Sequence, residues 1–140
     1  MSFKADTPSV LFVCVKNGGK SQMAAGLMEK VAGGSVTAAS AGSKPGSAVN
    51  ALSAEVLAEV GVDISRNVPR RITAEDQNQA DVVVILGAEA RVDEIPGTRY
   101  ERWDTDEPSD RGIDGIERMR LVRDDILARV ITLHATLTTA

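Results

Sequence analysis

The chain has 140 residues, a net charge of −4 and an isoelectric point near 5.0. This acidic balance argues against the broad basic face of most nucleic-acid-binding proteins, although a small anion can still bind locally. Hydrophobic residues make up 43% and charged residues 26% of the sequence, which is typical of folded globular proteins and not of disordered ones. We therefore predict a single domain over residues 1–140.

The sequence has no apolar run long enough to span a membrane, and its first residues lack the pattern of a secretory leader. We expect a cytoplasmic protein that binds neither a membrane nor nucleic acid. Its one cysteine, Cys14, cannot form an internal disulfide, which suits a reducing compartment. No cluster of histidine and cysteine has metal-ligand spacing, so we expect no metal and no bound cofactor.

The first half of the chain alternates strand and helix patterns. The apolar run at 9–13 predicts a buried strand. A helix with apolar residues at helical spacing begins near Ser21 and ends at Gly33. Small residues at 36–41 predict a second strand beside the first, reached through that helix. Ser47 is the expected N-cap of a second helix, which ends at Gly61.

The second half adds two strands and two helices. Thr73 and Asp76 have the capping-box spacing of a short helix that reaches about Ala80. The β-branched run at 82–86 predicts a central strand, and 100–103 a weaker one. An acidic loop without a core pattern follows at 104–110, and a long helix starts near Ile113. This order predicts an α/β fold, a three-layer domain with a four-stranded, mainly parallel sheet flanked by helices.

The segment at 14–21, Cys-Val-Lys-Asn-Gly-Gly-Lys-Ser, joins the first strand to the first helix. In such a turn, backbone N–H groups and a helix N-terminus face a bound anion. Most lone cysteines are buried small hydrophobes. The position of Cys14 at the carboxyl end of a strand, beside two glycines and two lysines, favours a reactive thiolate instead.

The same segment partly matches a nucleotide-binding loop. Gly19, Lys20 and Ser21 fit the end of the pattern G-x-x-x-x-G-K-[ST], but Cys14 replaces its first glycine. The strand at 82–86 is followed by Gly87 and not by an acidic magnesium ligand. A non-catalytic anion- or nucleotide-binding protein is therefore an alternative of lower rank.

The spacing from Cys14 to Lys20-Ser21 resembles the C-x5-R-[ST] loop of the low-molecular-weight protein tyrosine phosphatases and of the arsenate reductases that share their fold. Further matching motifs occur in the family's order along nearly the whole chain: Asn17, Ser21-Gln22-Met23-Ala24, Ser40-Ala41-Gly42, Asp63-Ile64-Ser65 and Asp81-Val82-Val83. The resemblance implies a low-molecular-weight phosphatase-like fold.

The resemblance also implies roles for individual residues. Cys14 is then the nucleophile, and Lys20 supplies the loop's cation. The residues that wrap an oxyanion are Val15, Lys16, Asn17, Gly18, Gly19, Lys20 and Ser21. Ser21 Oγ hydrogen-bonds the thiolate, caps the helix, or does both. Residues 103–108 resemble the general-acid loop, in which Glu107 is favoured by position and Asp106 by residue type, unless both are only surface charges.

Three departures from the family pattern narrow the choice among the functions known in the family. Lys20 replaces an arginine that grips two oxyanion oxygens in a planar fork, which argues against phosphatase activity. The tyrosines that flank the phosphotyrosine slot of the phosphatases are missing from 108–112. Gly87 and Glu94 occupy the places of the two further cysteines with which some arsenate reductases relay electrons internally.

A single-cysteine branch of the family, the arsenate-mycothiol transferases, fits these departures. We therefore expect an arsenate reductase with mycothiol as co-substrate and mycoredoxin as electron donor, and a low-molecular-weight phosphatase is the nearest alternative. Whether Cys14 bonds arsenic or activates the external thiol stays open. Arg66, Arg70 and Arg71 either receive an anion or form a solvated loop. His134 is expected at the surface or core edge of the last helix.

Overall fold

The computed structural model describes residues 7–139. Within them, one sheet has the strand order β2-β1-β3-β4 and is built from β1 (Ser9–Cys14), β2 (Thr37–Gly42), β3 (Val82–Leu86) and β4 (Arg99–Trp103). The helices are α1 (Lys20–Ala32), α2 (Ala51–Ala58), α3 (Ala74–Gln79) and α4 (Gly115–Thr138). All three strand pairings are parallel. The predicted α/β fold is confirmed, with a sheet that is parallel throughout.

The sheet separates a large core from a small one. Successive side chains of a strand point to opposite faces, so Val10 and Phe12 face one side of β1 while Leu11 and Val13 face the other. The first side packs against α1, α2 and α4, where the rings of Phe12 and Trp103 lie 5.7 Å apart. The second side is covered by α3 and the loops around it. Because both of their faces are buried, the central strands β1 and β3 are almost continuously apolar, as the sequence predicted.

The strand order reverses direction at β1. The chain leaves β1 through α1 to pair with β2 on one side, and later places β3 on the other side. In open parallel sheets, ligands bind in the crevice at the carboxyl ends of the strands next to such a reversal. Cys14 is the last residue of β1 and therefore lies at this crevice.

Two helix starts differ from the sequence prediction. Helix α1 starts at Lys20 with Gly19 as its N-cap, so Ser21 is not the cap. Helix α2 starts at Ala51, and its N-cap is Asn50 and not Ser47, because the Asn50 side chain accepts a hydrogen bond from Ser53 N at 3.0 Å. The segment at 46–50 is not helical, and Gly46 N and Asn50 N bond instead to carbonyls of the loop after β1. Helix α2 also ends at Ala58, before the predicted Gly61.

The remaining elements follow the sequence more closely. The capping box of Thr73 and Asp76 forms at the start of α3, which confirms that prediction. The acidic loop after β4 contains a short 3-10 helix at Pro108–Arg111. Helix α4 starts two residues after Ile113.

Helix α4 is the longest element, at 24 residues. A helix of about 20 residues is long enough to cross a bilayer, but it can do so only if it is also apolar all round. Here the buried apolar residues form one stripe, and the rest of the surface carries charged residues, threonines and the exposed Ile131. No helix within residues 7–139 combines the length and the apolar character that a membrane span needs.

Glu59 joins the end of α2 to α4. It forms ion pairs with Arg120 at 2.6 Å and Arg123 at 2.8 Å, and the hydrogen bond from Arg120 is the main reason that its pKa falls from 4.5 to about 2. A carboxylate with a lowered folded-state pKa stabilises the fold above its unfolded pKa, and this contribution disappears as the pH falls through the folded value.

We therefore expect Glu59→Gln to lower the melting temperature at neutral pH, with the difference from wild type shrinking as the pH falls from 4.5 towards 2. Thermal melts followed by circular dichroism across this range measure the effect. Glu29→Gln, which changes an exposed glutamate on α1, is the matched control. A Glu59→Gln deficit that is the same at every pH would show that the ion pairs do not stabilise the fold.

Candidate active site

The loop between β1 and α1 is held by the segment that follows β2. Lys44 N donates to Val15 O at 2.8 Å, and Gly46 N donates to Lys16 O at 2.9 Å. Asn50 N donates to the carbonyl of Gly18 at 2.6 Å. These loop carbonyls are turned towards the 42–50 segment, so the N–H groups of the loop are left to face an anion.

This close packing requires glycine at two positions. A Cβ at Gly42 would lie 2.7 Å from Val15 O, and one at Gly18 would lie 2.9 Å from Ala48 O. Both distances are shorter than van der Waals contact with backbone atoms that cannot move aside. The N-cap of α1, Gly19, offers no side chain to the first turn. The N–H groups of that turn therefore remain available, at the positive end of the helix dipole.

Two donors converge on the sulfur of Cys14, which is 9% exposed. Asn17 N donates to Cys14 Sγ at 3.3 Å, and Ser21 Oγ lies 3.0 Å from it. Ser21 Oγ accepts a hydrogen bond from Asn17 Nδ2 at 2.8 Å, and its own proton can be donated to the sulfur when the sulfur is a thiolate. Hydrogen bonds to a charged acceptor are the stronger kind, so this arrangement stabilises the thiolate.

Asn17 holds the loop in its shape. It is fully buried and has a φ of +54°, a left-handed conformation that asparagine tolerates better than most residues. Its Oδ1 accepts from Arg70 N at 3.0 Å and from Gln22 Nε2 at 3.3 Å. Gln22 is itself fixed by Asn67, whose Nδ2 donates to Gln22 Oε1 at 3.0 Å. The donors at the sulfur therefore depend on a buried network behind the loop.

The cation of the loop is paired with the predicted acid. Lys20 Nζ donates to Glu107 Oε1 at 2.5 Å, and Arg118 Nη2 lies 3.4 Å from Glu107 Oε2. The hydrogen bond from Lys20 is the first cause of a lowered pKa of Glu107, with a smaller contribution from Arg118. Glu107 is therefore a carboxylate while Lys20 holds it, and an incoming anion has to take Lys20 from it.

The second predicted acid, Asp106, has different surroundings. Arg111 grips its carboxylate through two hydrogen bonds of 2.8 and 3.1 Å. That pairing is the main cause of the lowered pKa of Asp106. Its backbone N–H donates to Asp125 Oδ2 at 2.8 Å. Asp106 thus anchors the loop after β4, and Glu107 is the carboxylate that faces the loop with Cys14.

Two cavities adjoin the loop. We call the first the nucleophile cavity; it has a volume of about 330 Å³ and is lined by Cys14, Lys20, Glu107, Glu89 and the residues at 86–88 that follow β3. We call the second the lateral cavity; it has a volume of about 480 Å³ and lies among α1, α2 and α4, with Arg118, Met119 and Asn50 in its wall. Lys16 and Lys20 line both cavities.

The nucleophile cavity combines a thiolate, a cation, exposed backbone donors and a carboxylate. These are the groups that nucleophilic attack on a tetrahedral oxyanion requires, together with proton transfer to the leaving oxygen. Residues 7–139 contain no group of three or more histidine, cysteine or acidic side chains placed to hold a metal ion.

A family model described as low molecular weight phosphotyrosine protein phosphatase matches residues 9–140. The chain belongs to this family. The match runs from β1 through α4, so it includes the loop after Cys14 and the loop that carries Glu107.

Similar proteins within the family reduce arsenate. An arsenate reductase of Staphylococcus haemolyticus is 32% identical over 118 residues, which cover 82% of this chain and 89% of that one. A glutaredoxin arsenate reductase of Synechocystis is 30% identical, covering 90% of this chain and 95% of that one. The structure of a thioredoxin-dependent arsenate reductase of Corynebacterium glutamicum superposes with a TM-score of 0.78 and 34% identity. The superposition covers 94% of this chain but only 62% of the Corynebacterium glutamicum chain.

In this member of the family, the loop residues predicted from the sequence lie at different places around Cys14. Asn17 and Ser21 are buried at the sulfur of Cys14, whereas Lys16 is exposed at the rim shared by both cavities. Gly18 and Gly19 line the lateral cavity, and Val15 lines the nucleophile cavity.

The structure adds residues that sequence reasoning missed. Gln22 and Asn67 support Asn17, and Arg118 contacts Glu107 from α4. A signal existed only for Gln22, a polar residue inside an apolar helical stripe. In the basic cluster, Arg70 pairs with Asp76 and Arg71 Nη1 donates to Ser43 O, so these side chains are engaged in local structure. His134 is half-buried on α4, where Nε2 lies 2.8 Å from Ser35 Oγ.

Proposed function

We propose that the protein is an arsenate reductase that acts as an arsenate-mycothiol transferase, with Cys14 as its nucleophile. The observation that carries this proposal is the convergence of Asn17 N and Ser21 Oγ on the sulfur of the only cysteine in the chain. A lone thiolate at an oxyanion loop can attack arsenic but cannot reduce it, because this chain has no second thiol to supply the electrons. The reducing thiol must come from outside.

The surroundings of Cys14 favour a small oxyanion over an aryl phosphate. Lys20 offers a point charge in place of the arginine fork of the phosphatases. Within residues 7–139, no aromatic side chain lines the nucleophile or the lateral cavity, so an aromatic ring has no stacking partner there. Arsenate needs only the N–H groups of the loop and the cation.

Binding requires an exchange of partners at Lys20. Arsenate takes the ammonium of Lys20 from Glu107, which it can do because Lys20 borders the nucleophile cavity. Glu107 then loses the main cause of its lowered pKa and becomes easier to protonate. In this way the bound substrate converts Glu107 from the partner of Lys20 into a general acid.

Two displacements at arsenic follow. Cys14 Sγ attacks, an As–S bond replaces an As–O bond, and the oxygen leaves as water with its own proton and one from Glu107. The thiol of mycothiol then attacks arsenic and displaces Cys14 Sγ as a thiolate, while the thiol proton passes to Glu107. Arsenic remains As(V) in both steps. Mycoredoxin thiolate next attacks the mycothiol sulfur, a mixed disulfide forms, and the As–S electron pair stays on arsenic as arsenite.

The electron donor distinguishes this proposal from related enzymes. The similar protein of Corynebacterium glutamicum is described as thioredoxin-dependent and that of Synechocystis as a glutaredoxin arsenate reductase. The experiment is therefore a comparison of arsenite formation by the purified protein with three reducing systems: mycothiol with mycoredoxin, thioredoxin with its reductase, and glutathione with glutaredoxin. We expect the mycothiol system to be faster by about tenfold or more, a difference of about 1.4 kcal/mol.

Two results would contradict the proposal. Comparable activity with thioredoxin alone would overturn the choice of mycothiol, and arsenate reduction by none of the three systems would overturn the arsenate reductase itself. The family match keeps a low-molecular-weight phosphatase as the second candidate. Hydrolysis of an aryl phosphate at a rate comparable to arsenate turnover would favour it.

A further inference from the structure

The proposed chemistry at Cys14 gives the lateral cavity itself no role. Its volume of about 480 Å³ lies within the range of about 300–1,000 Å³ that is usual for small-molecule sites. Three cations, Lys16, Lys20 and Arg118, line it together with an apolar wall that includes Met23 and Met119, and no carboxylate is among its lining residues within 7–139.

Arg118 is the cation that α4 contributes to this cavity. It lies in the first turn of α4, and its Nη2 contacts Glu107. Its Nε is buried and has no hydrogen-bond partner within residues 7–139. A buried donor without a partner costs free energy. Within residues 7–139 only Nη2 of the Arg118 side chain makes a hydrogen bond, so the terminal N–H groups can serve a ligand in the cavity.

The lateral cavity is also in the right place for a second substrate. Lys16 and Lys20 line it on one side and the nucleophile cavity on the other. A molecule whose body occupies the lateral cavity can therefore extend a short arm past these two side chains towards the anion above Cys14. A thiol co-substrate has this shape, with a sulfur on a short arm and a polar body.

We propose that the lateral cavity binds the body of the low-molecular-weight thiol co-substrate, and that the cations of Lys16 and Arg118 in its wall donate hydrogen bonds to acceptors on that body. This inference rests on the proposed function and deepens it. The cationic lining excludes a body with a free amine and accepts hydroxyl, carbonyl or carboxylate oxygens. The body of mycothiol, with its hydroxyl groups and amide carbonyls and without a free amine, meets this requirement.

Two variants test the cavity by different means. Arg118→Lys keeps the positive charge but removes the planar set of guanidinium donors. Ala48→Trp fills the cavity from the opposite wall, where Ala48 is exposed, and leaves Arg118 unchanged. The matched control is Ala135→Trp, which changes an exposed alanine near the end of α4 outside the cavity.

The readouts are the KM for mycothiol, the KM for arsenate, and the Kd of S-methyl mycothiol measured by calorimetry, since this blocked thiol binds without reacting. We expect both cavity variants to raise the KM for mycothiol and the Kd of S-methyl mycothiol by about tenfold. The KM for arsenate should change by less than about twofold in Ala48→Trp, whereas Arg118→Lys also alters a contact to Glu107 and is judged on the Kd of S-methyl mycothiol. Ala135→Trp should match wild type in every readout.

Unchanged KM and Kd values for mycothiol in both cavity variants would overturn the site, even with an active wild-type enzyme. Tighter binding of S-methyl glutathione than of S-methyl mycothiol would overturn the polyhydroxylated body in favour of an anionic one. If the proposed function is wrong, the result differs: wild type would reduce arsenate no faster with mycothiol than without it, and would not bind S-methyl mycothiol. That result would overturn both proposals.

Discussion

Cys14→Ser is expected to reduce arsenate turnover by about 10³-fold or more, since removing the nucleophile of an enzyme leaves only binding and electrostatic stabilisation. A serine hydroxyl in this position is protonated at neutral pH and is a far weaker nucleophile than a thiolate. The change of one atom should preserve the hydrogen bonds that Asn17 N and Ser21 Oγ now make to the sulfur. Arsenite formation with the best reducing system measures the effect.

The control for this variant is anion binding. The N–H groups of the loop and Lys20 remain, so Cys14→Ser should still be stabilised by arsenate or phosphate in a thermal shift assay. A variant that binds the anion but turns over at the wild-type rate would exclude Cys14 as nucleophile. The chain would then be an oxyanion-binding protein whose cysteine has no catalytic part.

Asn17→Ala is expected to damage both stability and activity. The variant loses the hydrogen bonds from Arg70 N and Gln22 Nε2 and the one to Ser21 Oγ, and it places alanine at a φ of +54°. At about 1 kcal/mol for each hydrogen bond and for the backbone strain, we expect a loss of about 2–4 kcal/mol in the free energy of unfolding. Activity should fall on the order of 10²-fold, because Ser21 loses its orientation towards the thiolate. Urea denaturation and steady-state kinetics measure the two effects.

Two further variants separate the causes. Asn17→Gly relieves the backbone strain but restores none of the side-chain hydrogen bonds, so it should recover part of the stability and little of the activity. Asn67→Ala removes only the outer end of the network, through Gln22, and should cost less than Asn17→Ala in both measurements. If Asn17→Ala retained full activity at a temperature where it is folded, Ser21 would not depend on Asn17 for its orientation.

The sequence was sufficient wherever the signal was local. The strand at 82–86, the capping box of Thr73 and the end of α1 at Gly33 follow from a few adjacent residues, and all three are present in the structure. Membership of the phosphatase family was also predictable, because the loop from Cys14 to Ser21 is a continuous segment. Such features depend on backbone conformations and periodicities that neighbouring residues determine without help from the rest of the chain.

The choice between Ser47 and Asn50 as the cap of α2 was not local. Both are good N-cap residues, but Asn50 N bonds to Gly18 O across the fold, and that contact delays the start of the helix. The same holds for the two acidic residues after β4. Asp106 is gripped by Arg111, whereas Glu107 is turned towards Lys20. Their order in the sequence does not determine which carboxylate faces Cys14, because that depends on where the cations of distant elements lie.

The sequence by itself therefore predicted the nucleophile and the anion loop, and it contains no second cysteine that could resolve an adduct. The tertiary structure alone decided which groups surround that loop. Lys20 and Glu107 are 87 residues apart in the chain and form an ion pair, and Arg118 brings a third cation from the start of α4 to the wall of the neighbouring cavity. Such contacts arise when helices and loops pack at the edge of the sheet, and no spacing within a single segment can encode them.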